Sequence, residues 1–213
     1  MGFLPAGRGR PEVPWGRMLV KSEPNYFFAL WPAAIRARAI HDRIPSWTEP
    51  MGARVRRTPS AGDLHLTLVF LGALPDGERR EAISVAQGLT GFGFTLRLDR
   101  FGSFPRSKTL WLAASRVPEA LTGLVGRLRD GLERAAVPVP APSAFVPHLT
   151  IARLSRPPAR EGCLIEPIDW PVTDFCMACS RPGPPYRIME RWGLVPAGEG
   201  PIQSAGPADA GGS

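Results

Sequence analysis

Two short stretches of the chain alternate polar and apolar residues with the period of a β-strand. In the first, residues 65–72, His65 and Thr67 alternate with Leu66 and Leu68. Successive side chains of a strand point to opposite faces, so the imidazole and the hydroxyl share one face while the leucines share the other. The apolar face predicts a core contact. The polar face needs partners, because an imidazole and a hydroxyl are costly to bury alone.

The same pattern returns at residues 148–152, where His148 and Thr150 alternate with Leu149 and Ile151. A single motif of this kind favours a structural histidine that is satisfied by its neighbours. A second copy favours a shared functional face, and it predicts two strands that line one cleft.

The remaining periodicity predicts three helices and six further strands. Helices are predicted over residues 33–43, 76–87 and 118–135, and strands over residues 26–31, 92–98, 109–113, 162–168, 172–180 and 186–194. The last helix has the strongest amphipathic pattern, with one apolar face made by Leu121, Leu124, Val125, Leu128 and Leu132. Residues 44–63 carry Pro, Gly, Ser and several arginines, and we interpret them as a long loop leading to the first motif.

The order of these elements predicts an α+β protein with two pseudo-symmetric lobes. Each lobe is expected to hold an antiparallel sheet with flanking helices, and the lobes together are expected to form a shared central groove. Both ends lack apolar periodicity, so residues 1–17 and 196–213 are predicted to be disordered tails around a folded domain of residues 18–195. Met18 begins the folded pattern, which makes it a candidate for the true start of translation.

Composition and charge narrow the class of protein. The 213 residues are 44% hydrophobic and 21% charged, which suits a globular protein with a substantial core. No apolar run approaches the roughly 18 residues of a membrane-spanning helix, and the N-terminus lacks an apolar signal core. A cytoplasmic protein with no membrane partner is therefore expected. The net charge of +7 and the pI near 10.3 favour a polyanionic partner.

The spacing of the cysteines and histidines in the sequence does not predict a metal site. Three cysteines cannot close a disulfide framework, and Cys176 and Cys179 lie in a stretch of strand character, which favours a structural role over a redox or zinc site. Three histidines and scattered carboxylates form no recognisable ligand set, so neither a metal nor another cofactor is predicted. His41 lies among charged residues and is interpreted as a solvated surface residue.

The two motifs resemble the paired His-x-Thr-x motifs of the 2H phosphoesterase superfamily. The chain is most similar to the bacterial RNA 2′,3′-cyclic phosphodiesterase branch, historically called 2′-5′ RNA ligase. The resemblance covers about residues 24–195 and is carried by residues 27–30, 64–72, 111–112, 145–153 and 186–194. There are two departures, since the family often has Asn where this chain has Asp63 and Arg where it has Ser143. Both departures concern substrate contacts and leave the motifs intact.

The resemblance implies hydrolysis of RNA 2′,3′-cyclic phosphate ends to 2′-phosphomonoesters without a metal, with reversible 2′-5′ ligation left open. Opening the ring needs a base for water and an acid for the departing ribose oxygen, roles that two histidines can divide near neutral pH. By resemblance, His65 is the proton donor and His148 the proton acceptor. The hydroxyls of Thr67 and Thr150 can donate to the non-bridging oxygens, where charge builds.

Three further residues are candidate substrate contacts. The resemblance implies that Arg153 helps to hold the phosphate, but strict alternation puts it on the face opposite His148. It reaches the site only if the strand bends, and the alternative is a surface role. Phe28 and Phe145 are candidates for stacking on a nucleobase, although core packing is the favoured role for both.

Three classes of function stay open at this point. The first is a phosphodiesterase acting on RNA ends, the second is a 2H enzyme acting on a small cyclic nucleotide or a 2′-5′-linked oligonucleotide, and the third is a non-catalytic RNA- or nucleotide-binding module. The intact motifs argue against the third class, and the basic charge mildly favours RNA over a small metabolite. RNA ends or oligonucleotides are the expected partners, and a monomer is the expected state.

Overall fold

The structure is a computed structural model that describes residues 23–140, 145–156, 162, 164–181 and 185–196. These residues contain three α-helices and nine β-strands. The helices are α1 (Ala34–Thr48), α2 (Asp76–Gln87) and α3 (Glu119–Arg134). The strands are β1 (Asn25–Leu30), β2 (Arg54–Arg57), β3 (Leu66–Ala73), β4 (Phe94–Phe104), β5 (Thr109–Ala113), β6 (Leu149–Arg156), β7 (Leu164–Val172), β8 (Asp174–Ser180) and β9 (Arg187–Gly193).

Two of the helices match the sequence pattern closely. The apolar face predicted for α3 is buried in full, and α2 begins with Asp76 and Glu78 in its first turn, where acidic side chains favour the helix dipole. None of the helices in the described ranges is both long and apolar enough to cross a bilayer. Apart from Pro196, the predicted tails at 1–17 and 196–213 lie outside the described residues.

The predicted long loop at residues 44–63 is wrong. Helix α1 continues to Thr48 through Pro45, because Ile44 and Trp47 are buried in the core and their packing outweighs the lost hydrogen bond. Strand β2 follows, and all four of its residues are exposed. Its sequence therefore has no alternation of buried and exposed residues that would predict a strand. The strand forms because its backbone pairs with the edge of β6.

The fold is α+β, as predicted, but the described strands form one sheet rather than two. Its order is β7-β4-β5-β6-β3-β1-β8-β9, and β2 also pairs with β6. Every pairing between these strands is antiparallel. The halves join where β3 meets β6, through the single pair Leu66–Leu149. Four strands of this path lie on each side of the junction, and β2 adds a fifth strand on the side of β6. The symmetry of the two lobes stays a prediction.

The large core lies on one face of the sheet. It includes Phe28, which is fully buried and packs against Phe175 and Trp192. The opposite face of β1 carries Phe27 and Trp31, which form a small cluster with β8.

The two cysteines of β8 divide between these faces. Cys176 packs in the small cluster and Cys179 in the large core. The two thiols thus lie on opposite sides of the sheet and do not form a pair. Burial raises the pKa of the Cys176 thiol to about 12, so this side chain is an unreactive packing residue.

Candidate active site

The pair Leu66–Leu149 aligns the two His-Thr motifs on neighbouring strands and on one face of the sheet. Both leucines are fully buried on the other face, so the flanking motif residues point away from the core. Continuing the antiparallel register by one step places His65 opposite Thr150 and Thr67 opposite His148. The imidazoles are then diagonal neighbours, with Cα atoms about 7–8 Å apart in an ordinary antiparallel ladder.

A bulge in β6 brings Arg153 to the same face. Trp111 of β5 pairs with Thr150 and Leu110 pairs with Ala152, so Ile151 is an extra residue in the ladder. The extra residue resets the alternation, and Arg153 consequently shares the face of Thr150. This is the bend that sequence alternation alone could not show. Strand β3 has a matching bulge at Leu68, between the partners of Phe28 and Ala29.

His65 lies just before β3 in a pocket of aromatic rings. Its Nδ1 donates to the backbone carbonyl of Asp63 at 2.7 Å, because a carbonyl oxygen can only accept. Trp31 stacks on the imidazole with centroids 4.9 Å apart and planes 16° apart, and Tyr186 meets it edge-on at 4.8 Å. These contacts fix the ring and leave Nε2 as the nitrogen available for proton transfer.

His148 is held in the same way just before β6. Its Nδ1 donates to the carbonyl of Val146 at 2.7 Å. Phe104 meets the ring edge-on at 4.9 Å, and Trp111 lies 6.3 Å away, centroid to centroid. In both motifs, then, the hydrogen bond to the carbonyl two residues earlier holds the proton of the neutral ring on Nδ1 and leaves Nε2 without one.

The surroundings lower the pKa of both imidazoles and differ in the charges they supply. Burial is the largest cause for each ring, since it disfavours the charged form. The hydrogen bond to a carbonyl opposes that shift in both. The Asp63 carboxylate raises the pKa of His65 and the neighbouring His148 lowers it, whereas the Arg153 guanidinium lowers the pKa of His148. Asp63 therefore favours a proton on His65, and Arg153 favours a neutral His148.

The motif face opens into a groove of about 670 Å³. All four motif residues and Arg153 line it. The other lining residues are His41, Arg57, Thr58, Pro59, Ser60, Asp63, Ser180, Arg181 and Tyr186. The lining includes three arginines and one carboxylate, so the groove suits an anion. His41 is partly exposed, as the sequence indicated, but its place in the groove wall was not foreseen.

Asp63 organises one end of the groove. Its carboxylate accepts hydrogen bonds from the Ser60 hydroxyl at 2.7 Å and from the backbone N–H of Tyr186 at 2.9 Å. The residue thus ties the turn before β3 to the segment before β9 and holds Tyr186 against His65. The other departure from the family pattern, Ser143, lies outside the described residues.

Two of the three predicted substrate contacts do not reach the groove. Phe28 is on the core face, because Phe27 takes the groove face of β1. Phe145 is partly buried and packs against the same large core. Phe28 therefore takes the packing role that the sequence analysis favoured, and its assignment as a nucleobase contact is wrong. Phe145 is not among the lining residues of the groove, and its contact with a nucleobase stays a prediction. Among the described residues, no three His, Cys, Asp or Glu side chains lie close enough together to hold a metal ion.

Sequence reasoning missed the residues that hold His65. Trp31 and Tyr186 are far from the motif in the chain, and no local signal marks them as its partners. Arg57 had a weak signal, since it belongs to a group of arginines in the segment interpreted as a long loop leading to the first motif.

Comparisons with known proteins find relatives of the chain in both sequence and structure. The RNA 2′,3′-cyclic phosphodiesterase of Escherichia coli (strain K12) is 35% identical over 184 residues, covering 82% of this chain and 99% of the relative. The protein of that name from Thermus thermophilus is 33% identical over 68% of this chain and 79% of its own. The crystal structure of apo LigT from Escherichia coli matches with a TM-score of 0.66 at 31% identity, over 82% of this chain and 99% of LigT. The family model of the 2′-5′ RNA ligase superfamily matches residues 34–179, and the chain belongs to that superfamily.

Proposed function

We propose that the protein hydrolyses the 2′,3′-cyclic phosphate at RNA ends to a 2′-phosphomonoester, with paired histidines as acid and base. The observation that carries this proposal is the arrangement of two imidazoles, each held through Nδ1 by a backbone carbonyl, around one cationic groove. The E. coli and T. thermophilus relatives are named for the same activity, which supports the substrate class. A cytoplasmic location and a monomeric state remain predictions from the sequence.

The reaction is an in-line displacement at phosphorus. Water forms a bond to phosphorus while the bond from phosphorus to the ribose 3′-oxygen breaks. Nε2 of His148 takes the proton of the water, and Nε2 of His65 gives a proton to the departing oxygen. A diagonal placement of the two rings supports this proposal, because the displacement requires one ring on each side of the phosphate.

The threonines and Arg153 stabilise the charge that develops. Thr67 and Thr150 share the face of the histidines, where their hydroxyls can donate to the two non-bridging oxygens. Arg153 is anchored by hydrogen bonds to the Thr109 hydroxyl and, at 3.4 Å, to the Ser107 carbonyl. A guanidinium anchored in this way lines the groove and can donate to the phosphate.

The charges beside the rings support the assignment of roles. Asp63 favours the protonated form of His65, which an acid needs, and Arg153 favours the neutral form of His148, which a base needs. Exchanging the roles would require each ring to work in the form that its charged neighbour disfavours.

Leaving-group dependence tests both the activity and the roles. His65→Ala should lose on the order of 10²–10⁴-fold activity on an RNA-terminal cyclic phosphate, and substantially less on a nitrophenyl diester, whose leaving oxygen departs without a proton. His148→Ala should lose similar amounts on both, because water must still be deprotonated. The opposite pattern exchanges the two roles. Wild-type protein that hydrolyses neither substrate would refute the proposed function.

A further inference from the structure

A second basic pocket adjoins the groove. It has a volume of about 360 Å³ and lies where β2, the β4–β5 turn and the second half of β6 meet. Its lining residues are Arg56, Arg57, Ser107, Lys108, Arg153 and Leu154. Arg57 and Arg153 also line the groove of the two histidines, so the two cavities share a wall of two guanidinium groups.

The pocket gathers like charges at close range. Arg57 lies directly opposite Arg153 in the β2–β6 ladder, a pairing of like charges that destabilises a sheet. The backbone N–H of Leu154 donates to the carbonyl of Lys108 at 2.8 Å, which holds the turn and its lysine against the same strand. The lining includes no carboxylate. Within the described parts of the chain, Arg56, Arg57, Lys108 and Arg153 have no acidic partner.

We infer that this pocket binds a backbone phosphate of the RNA chain, upstream of the cyclic end held between the histidines. An anion placed among these cations relieves their repulsion, and a phosphodiester meets several donors at once. The shared arginines make one continuous cationic track from the reacting phosphate to the next one. The inference rests on the proposed function and adds that the protein distinguishes an oligonucleotide from a cyclic mononucleotide, which has no upstream phosphate.

The test compares these two substrates. Arg56 and Lys108 line the second pocket and are not among the residues that line the groove. The double variant Arg56→Ala/Lys108→Ala should lower kcat/KM for a short RNA with a terminal 2′,3′-cyclic phosphate by roughly tenfold, mainly through KM. It should change kcat/KM for the cyclic mononucleotide by less than about twofold. The salt dependence of RNA binding should also become shallower, because fewer counterions are released from the strand.

A charge-matched control separates local binding from overall charge. Arg80→Ala/Arg127→Ala removes two exposed arginines from α2 and α3, which line neither cavity. This variant should keep the wild-type preference for the oligonucleotide. An equal loss in both double variants, or an equal loss on both substrates, overturns the inference and leaves the proposed function standing. Wild-type protein that is inactive on both substrates refutes the proposed function itself, and the inference falls with it.

Discussion

A single methyl group at Gly102 should show how tightly His148 must be held. Gly102 pairs with Trp111 in the β4–β5 ladder, and a Cβ added there would lie 2.0 Å from Cη2 and 2.1 Å from Cζ2 of the indole. Ordinary carbon–carbon contacts are about 3.5–4.0 Å, so the indole must move by roughly 1.5 Å. Trp111 and Phe104 are the rings against which the His148 imidazole rests.

The displacement of Trp111 should affect both the stability of the protein and the rate of the reaction. Overpacking of this kind costs about 1–3 kcal/mol, which for a chain of this length lowers Tm by roughly 2–12 °C. Displacing a catalytic group by about 1 Å costs on the order of 10²-fold in rate. Gly102→Ala should therefore remain folded and lose kcat by that factor. KM should change little, because Arg153 of the groove is anchored by Ser107 and Thr109 rather than by the indole.

The assay is steady-state kinetics on a cyclic-phosphate RNA end, with Tm measured on the same samples. Gly193→Ala is the matched control, since a Cβ at that strand position meets nothing within 4 Å. The clashing atoms are at the far end of the indole, beyond the reach of a phenyl ring, so Gly102→Ala should cost much less in a Trp111→Phe background. Wild-type kcat in Gly102→Ala, or the same loss with and without Trp111, would refute the argument.

Three other predictions follow from the same site. Burial lowers the pKa of both histidines, so the bell-shaped pH profile of kcat/KM should peak below pH 6.5, and a maximum above pH 7 would contradict it. Asp63→Asn removes the charge that raises the pKa of His65. The high-pH limb of the profile should therefore move to lower pH in this variant, while the low-pH limb stays in place. Ser60→Ala should move neither limb. The two-histidine mechanism needs no metal, so activity should survive thorough chelation. Loss on chelation with recovery on adding a divalent ion would count against that mechanism.

The two motifs could be predicted from the sequence because alternate residues of a strand lie on the same face of the sheet. His65 and Thr67 share a face for the same reason that Leu66 and Leu68 share the other, and one buried pair of leucines is enough to bring two such strands together. Helix α3 could be predicted for a similar reason, since its apolar residues repeat with the period of a helix. These elements depend only on local spacing.

Other features depend on contacts that local spacing does not contain. Arg153 reaches the groove through a bulge at Ile151, and a bulge is defined by the partner strand rather than by its own residues. Strand β2 has no buried residue, so its pattern matched a loop. Tyr186 meets His65 through a hydrogen bond to Asp63 across the fold. None of these could be derived before the sheet order was known.

The asymmetry of the site lies outside the motifs. Both histidines precede their strands by one residue, and both use Nδ1 to reach a carbonyl two residues earlier, so the motifs alone give the two rings equivalent positions. The two rings differ in their charged neighbours. The buried Asp63 carboxylate lies beside His65, and the Arg153 guanidinium, positioned by the bulge in β6, lies beside His148. A symmetric pair of strands can place two identical groups on opposite sides of a phosphate, but it cannot make one an acid and the other a base. We propose that Asp63 and Arg153 supply that distinction. Changes at these two positions should then alter the pH dependence of the reaction before they alter the fold.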